Sequence, residues 1–152
     1  MNKLGPIIVI DNDLEDLDLI GDALNTIKVN NKILLFDRAT EFLRYTKDHN
    51  EMAFFILCDV NMPNMDGLEL FQEINNNPSL SSICFPFLFF STSSDRDQIQ
   101  KAYKLPIQGY FKKPSTFDGI ITMLEGIITY WDNCYHPMGN KYFSGKVHEP
   151  AL

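Results

Sequence analysis

The chain is poor in cysteine and has no long apolar run. Its three cysteines, Cys58, Cys84 and Cys134, show no CxxC spacing, which argues against a disulfide framework or a zinc site. No apolar segment approaches the roughly 20 residues that span a bilayer. The N-terminus also lacks the apolar core and cleavage site of a signal peptide. We therefore expect a cytoplasmic protein that does not enter a membrane.

Basic residues are few as well. Thirteen lysines and arginines stand against 20 aspartates and glutamates, which gives a formal net charge of -7 at pH 7. An acidic chain needs a local basic patch to bind nucleic acid or an anionic membrane, and Lys112 with Lys113 forms only a pair. Neither nucleic acid nor a membrane surface is an expected partner.

Short apolar runs alternate with segments of helical periodicity along most of the 152 residues. This alternation is typical of an α/β fold, a doubly wound (βα)5 parallel sheet with helices on both faces. Residues 1–132 would form this single domain, and residues 133–152 a C-terminal tail without its own fold. The predicted strands are 7–10, 33–36, 54–58, 87–90 and 108–111, and the predicted helices are about 14–27, 39–47, 68–74, 95–105 and 115–131.

Short polar residues stand where three of these helices would begin. Asp13 precedes the first helix, Asp66-Gly67 the third and Ser115 the last. Such side chains accept hydrogen bonds from the free N–H groups of a first helical turn. We interpret all three as caps or turn formers rather than as ligands.

Polar side chains also follow four of the five predicted strands. Asp11, Asn12 and Asp13 follow the first strand, Asp59 the third, Ser91-Thr92 the fourth and Lys113-Pro114 the fifth. The carboxyl ends of parallel strands lie at one edge of the sheet, where ligands bind. Carboxylates, a hydroxyl and an ammonium gathered there suit a phosphoryl group and a hard cation such as Mg²⁺.

With these residues in place, the chain resembles the receiver domains of two-component response regulators, and especially single-domain members of the chemotaxis type. Four motifs over residues 5–132 carry the resemblance: Val-Ile-Asp-Asn-Asp at 9–13, Asp-Val-Asn-Met-Pro-Asn-Met-Asp-Gly at 59–67, Phe-Phe-Ser-Thr at 89–92 and Gly-Tyr-Phe-Lys-Lys-Pro at 109–114. The resemblance implies a flavodoxin-like sheet with the strand order 2-1-3-4-5.

The resemblance assigns the acceptor and the metal site. It implies that Asp59 is the phosphoacceptor and that Mg²⁺ is held by Asp11, Asp59, the backbone carbonyl of Asn61 and the residue at position 12. That position is usually acidic in the family but is Asn12 here. Because an amide oxygen carries no net charge, we expect a weaker affinity for Mg²⁺.

The resemblance also implies the parts of a switch. Ser91 corresponds to the switch hydroxyl, Tyr110 to the switch aromatic residue and Lys113 to the lysine that pairs with the phosphoryl group. The Lys113–Pro114 peptide bond would be cis, as it is in the family.

The leading hypothesis is a stand-alone receiver that a sensor histidine kinase or phosphotransfer protein phosphorylates on Asp59. It would signal to a downstream protein, or pass the phosphoryl group on, through the helix 4–strand 5–helix 5 face, that is, residues 95–131. We expect a monomer or weak homodimer, capable of self-phosphorylation and slow self-dephosphorylation but not an enzyme in the ordinary sense.

Two other functions remain open. One is a pseudo-receiver binding module that works without phosphorylation because Asn12 weakens the metal site. The other is a phosphatase or phosphotransferase with Asp59 as its nucleophile; such nucleophiles commonly have a second acid two residues later, where this chain has Asn61. The aromatic tail could dock on the domain or a partner, or be a disordered end.

Overall fold

The computed structural model describes residues 1–135, which contain five strands and six helices. The predicted tail lies outside the described residues from residue 136 onward. The strands are β1 (Ile7–Ile10), β2 (Ile33–Phe36), β3 (Phe55–Asp59), β4 (Phe87–Ser91) and β5 (Gly109–Lys112). The helices are α1 (Leu14–Ile27), α2 (Ala39–Asp48), α3 (Gly67–Asn75), α4 (Pro78–Ser81), α5 (Arg96–Tyr103) and α6 (Phe117–Asp132).

The five strands form one parallel sheet in the order β2-β1-β3-β4-β5, which confirms the predicted fold class and strand order. In the register, Asp59 is opposite Phe90 and Ser91 is opposite Lys112. The strand-end residues are therefore brought to the same edge.

Two apolar clusters cover the two faces of the sheet. On one face, Val9 and Leu57 pack with residues of α1 and α6. On the other, Ile8 and Ile56 pack with residues of α2, α3 and α5. Alternate residues of a strand point to opposite faces, so a continuous apolar run supplies both clusters and the central strands β1, β3 and β4 are wholly buried.

Most helix boundaries lie within two residues of the prediction, with two corrections. The loop expected after the third helix contains the short helix α4, because the side chain of Asn77 accepts from the N–H of Ser79 and Pro78 occupies the first turn. The last helix is capped by Thr116 rather than Ser115, since the Thr116 hydroxyl accepts from the N–H of Gly119 at 3.0 Å.

The other caps agree with the prediction. Asp13 caps α1 through the N–H groups of Glu15 and Asp16, and Asp66 forms a capping box with Glu69 at the start of α3. Within residues 1–135, every helix is too short or too polar to cross a membrane.

Candidate functional site

Two carboxylates lie side by side at the carboxyl edge of the sheet. Asp11 follows β1 and Asp59 ends β3, and these strands are neighbours. Asp11 is fully buried and Asp59 is 7% exposed. In each, Oδ1 accepts from the backbone N–H two residues later, that of Asp13 at 3.0 Å and that of Asn61 at 3.2 Å. The turns after the strands thus hold both carboxylates in place.

The Oδ2 atoms of these carboxylates share one ammonium group. Nζ of Lys113 lies 2.8 Å from Oδ2 of Asp11 and 3.5 Å from Oδ2 of Asp59. A third carboxylate, Asp16 in α1, is also 2.8 Å away. The lysine is placed by its backbone N–H, which donates to the carbonyl of Ser91 at 2.8 Å, and its ammonium lies 4.7 Å from the centre of the Phe90 ring.

Two groups of this cluster, Asp11 and Lys113, have perturbed pKa values. Burial raises the pKa of Asp11 to about 6, although its hydrogen bond with Lys113 works in the opposite direction. Burial also works to lower the pKa of Lys113, but its bonds to Asp11 and Asp16 outweigh this and the pKa is raised. The lysine is therefore fully charged at neutral pH, and its ammonium lies within 3.5 Å of three carboxylates.

Ser91 and Tyr110 lie next to this cluster but do not contact the carboxylates through a hydrogen bond. Oγ of the buried Ser91 accepts from the N–H of Ser93 at 3.0 Å and from Nδ2 of Asn61 at 3.2 Å. The half-buried Tyr110 donates its hydroxyl to Oε1 of Gln98 at 3.4 Å. Burial raises the pKa of the Tyr110 phenol, so it is a neutral donor at physiological pH.

Sequence reasoning missed two residues of this site. Asp16 reaches Lys113 from the first turn of α1, and Gln98 reaches Asn61 and Tyr110 from the first turn of α5. Both helices begin at the carboxyl edge of the sheet. The sequence signal for both residues was therefore their position in the chain. A polar side chain in the first turn of a helix that follows a strand lies at the same edge of the sheet as the residues that end the strand.

The Lys113–Pro114 bond differs from the expectation. This bond is trans, so the prediction of a cis bond is wrong. Within residues 1–135, the cis peptide bond joins Phe85 and Pro86. The ammonium of Lys113 reaches Asp11 and Asp16 with its own bond to Pro114 in the trans form.

The oxygen atoms of the cluster suit a small hard cation. Residues 1–135 contain no group of three His, Cys, Asp or Glu side chains arranged as a metal cage. Mg²⁺ does not need one, because it keeps several waters and binds through one or two carboxylates. Asp11 and Asp59 supply two such carboxylates from neighbouring strands. Asn12 is exposed at the same edge, beside an open cavity of about 270 Å³ that Arg38 and Met65 also line.

Comparison with known proteins finds one family. The family model for the response regulator receiver domain matches residues 7–125. Response regulator Rcp1 of Synechocystis sp. is 25% identical over 130 residues, which are 82% of this chain and 87% of the relative.

Solved structures agree with this match. A phosphorylated cyanobacterial phytochrome response regulator, RcpA, is 26% identical, with a TM-score of 0.75 over 84% of this chain and 94% of that one. The Mn(2+)-bound form of response regulator Rcp1 has a TM-score of 0.73 at 23% identity, covering 87% of this chain and 98% of that one; at this identity it supports the fold alone.

Proposed function

Since the chain belongs to the family of response regulator receiver domains, we propose that it is a switch that accepts a phosphoryl group on Asp59. The observation that carries this proposal is the position of the acceptor. Asp59 ends a buried central strand, its Oδ1 is held by a backbone N–H, and its Oδ2 lies 3.5 Å from a charged lysine. An oriented carboxylate beside a fixed cation is suited to attack phosphorus and to stabilise the added charge.

The reaction transfers the phosphoryl group between two proteins. A carboxylate oxygen of Asp59 forms a bond to phosphorus while the phosphorus–nitrogen bond of a phosphohistidine breaks, and the leaving imidazole takes up a proton. Lys113 then pairs with an oxygen of the transferred group. Because the lysine already lies between Asp11 and Asp59, only a small movement is needed.

Mg²⁺ is the proposed cofactor. Asp11, Asp59, the backbone carbonyl of Asn61 and Asn12 would hold it, and when bound it would supply positive charge beside the phosphoryl oxygens. The neutral amide of Asn12 lowers the expected affinity but leaves two carboxylates in place.

Phosphorylation would change the surface through Ser91 and Tyr110. Ser91 Oγ would turn toward the phosphoryl oxygen, and Tyr110 would follow inward. The affected surface is the α5–β5–α6 face, which is the predicted helix 4–strand 5–helix 5 face. Tyr103 on α5 is 60% exposed there, with its ring centre 6.3 Å from that of Tyr110.

The proposed partners are a sensor histidine kinase or phosphotransfer protein as the donor and a downstream protein on the α5–β5–α6 face. A solved relative is described as a phytochrome response regulator, so a phytochrome-type kinase is a candidate donor. No enzymatic turnover of external substrates is proposed.

The test is labelling with acetyl phosphate in the presence of Mg²⁺, followed by intact-mass measurement. The wild-type protein should gain one phosphoryl group, and Asp59→Asn should gain none. Asp118→Asn, at an exposed position in the first turn of α6, is the matched control and should label normally. Labelling of Asp59→Asn would place the acceptor elsewhere. No labelling of the wild type, with no response to Mg²⁺, would favour the pseudo-receiver module that Asn12 suggests.

A further inference from the structure

A continuous chain of side-chain hydrogen bonds joins the loop after Asp59, residues 60–66, to the α5–β5–α6 face. Nδ2 of Asn61 donates to Oγ of Ser91 at 3.2 Å. Oδ1 of Asn61 accepts from Nε2 of Gln98 at 2.6 Å, and Oε1 of Gln98 accepts from the hydroxyl of Tyr110 at 3.4 Å. One amide, that of Gln98, therefore contacts both the residue two positions after the acceptor and the switch tyrosine.

The loop before α5 fixes the position from which Gln98 reaches both partners. The N–H of Ser93 donates to Oγ of Ser91 at 3.0 Å, and the N–H of Asp95 donates to Oγ of Ser93 at 3.1 Å. The side chain of Asp95 in turn caps α5 by accepting from the N–H of Asp97. The first turn of α5 is thus attached to the end of β4 by successive hydrogen bonds.

This arrangement opposes the movements that the proposed switch needs. A movement of Ser91 Oγ toward a phosphoryl group would stretch its bond from Asn61. An inward movement of Tyr110 would stretch its bond to Gln98. Because a glutamine amide has one donor end and one acceptor end, Gln98 can bond to Asn61 and to Tyr110 at the same time.

We propose that Gln98 is a positioning residue that holds Asn61 and Tyr110 in the resting arrangement and so sets how readily the domain is activated. The inference rests on the proposed function, because activation here means the response to a phosphoryl group on Asp59. A ligand that selects the active arrangement binds more tightly when the resting one loses stabilising contacts. Removal of Gln98 should therefore sensitise the switch.

The experiment is a titration with beryllofluoride, which stands in for the phosphoryl group on an aspartate, at fixed Mg²⁺. It is followed by the NMR signals of the Asn61 side-chain amide and the Tyr110 ring. Gln98→Ala should lower the beryllofluoride concentration at the midpoint by roughly fivefold, the effect of losing about one net hydrogen bond. Gln100→Ala is the matched control, because Gln100 is exposed on the same helix and should leave the midpoint unchanged.

A second variant separates the two bonds of the amide. Gln98→Glu keeps an acceptor for the Tyr110 hydroxyl but, as a carboxylate, cannot donate to Asn61. Without any ligand, it should shift the Asn61 amide signals and leave those of the Tyr110 ring nearly in place. Gln98→Ala should shift both.

The outcomes distinguish this inference from the proposed function. If wild-type protein does not respond to beryllofluoride, the proposed function fails. The positioning role of Gln98 is then tested by the ligand-free NMR signals of Asn61 and Tyr110 alone. Ligand-free shifts of both Asn61 and Tyr110 in Gln98→Ala, absent in Gln100→Ala, support the positioning role. If the NMR signals and the beryllofluoride midpoint of Gln98→Ala match those of Gln100→Ala, the positioning role is overturned.

Discussion

Oδ2 of Asp16 lies 2.8 Å from Nζ of Lys113, as close as Oδ2 of Asp11 and closer than Oδ2 of Asp59, which is 3.5 Å away. The lysine of the site is therefore held chiefly by the two acids that flank it and less by the proposed acceptor. Asp16 is the more exposed of the two, with 33% of its side chain accessible, whereas Asp11 has none. The two contacts should accordingly differ in their effect on stability.

The first prediction concerns Asp16→Asn. The substitution removes a charge-assisted bond to a lysine whose side chain is only 8% exposed. Because Asp16 itself is partly in solvent, we discount the usual value of such a bond and expect a loss of about 1 kcal/mol in the free energy of unfolding. Urea unfolding at pH 7 without metal measures it.

Asp18→Asn is the control for this substitution. Asp18 is exposed on the same helix, and the same change of charge there should alter the free energy of unfolding by less than about 0.5 kcal/mol. Equal effects at the two positions would mean that the contact between Asp16 and Lys113 contributes nothing specific.

Asp16 also shows where prediction from sequence stops. The strand order and the gathering of Asp11, Asp59, Ser91 and Lys113 could be predicted, because apolar runs mark strands and parallel strands end at one edge. Whether a helical side chain reaches that edge depends on how the helix is rotated about its axis and how far the side chain extends. Periodicity locates the apolar face of a helix but does not specify such a contact.

Gln98 and α4 were missed for related reasons. The contacts of Gln98 join three separate parts of the chain, so its place in the first turn of α5 indicates the edge of the sheet but not these partners. The four residues of α4 are too few to show helical periodicity, and only the cap at Asn77 and the proline after it indicate a helical turn. The capping error at Ser115 arose because the next residue, Thr116, is also a favoured N-cap residue, and the residue types alone do not decide between neighbouring positions.

The second prediction is that Asp11→Asn stabilises the metal-free protein. Burial raises the pKa of Asp11 to about 6, so at pH 7 the folded protein holds a carboxylate in an environment that disfavours its charge. A neutral amide of the same shape removes that cost but weakens the contact with Lys113, whose ammonium keeps its 2.8 Å contact with Asp16. We therefore expect a net gain in the free energy of unfolding. Thermal unfolding in the presence of a chelator measures this gain, and a lower melting temperature would contradict it.

The third prediction concerns Gly67, the first residue of α3. A Cβ atom there would lie 2.5 Å from the carbonyl oxygen of Asp59 and 3.0 Å from Cα of Val60. Since both are backbone atoms, the chain at Asp59 and Val60 would have to move. Gly67→Ala should cost about 2 kcal/mol and slow the labelling of Asp59 by acetyl phosphate.

Gly126→Ala is the matched control for Gly67→Ala. Gly126 lies within α6, and a Cβ atom there would meet nothing within 4 Å. Alanine in a helix interior is favoured over glycine by about 1 kcal/mol, so this variant should be more stable than wild type and label normally. Effects of the same sign at both glycines would argue against the close approach to Asp59 as the cause.

The fourth prediction concerns the thiols. Cys58 and Cys84 are buried, and burial raises the pKa of the Cys84 thiol to about 12 and that of Cys58 well above its usual value. Cys134 is only partly buried. Because thiolates are the reactive form, a thiol reagent at pH 8 should modify Cys134 rapidly in the folded protein and the other two only on unfolding. Cys134→Ser should abolish the rapid reaction, and rapid labelling in that variant would show that a buried cysteine is accessible.

The same burial predicts how stability changes at alkaline pH. In the unfolded chain Cys84 loses its proton near pH 9, its ordinary value, whereas in the folded protein it keeps the proton until about pH 12. Between these values the folded state binds more protons, so the stability present below pH 9 is lost as the pH rises, by up to about 1.4 kcal/mol per pH unit for one group.

Other groups act in the same direction, because the pKa values of Lys113 and Cys58 are also raised. The contribution of Cys84 to this pH dependence is therefore measured as the difference in slope between wild type and Cys84→Ala. The free energy of unfolding of Cys84→Ala should decline less steeply from pH 8 to pH 10 than that of wild type, even if the truncation lowers its value at pH 7. Cys134→Ser should follow the wild-type slope, since this substitution removes a thiol that is only partly buried. Parallel slopes for Cys84→Ala and wild type would mean that the Cys84 thiol ionises equally easily in both states.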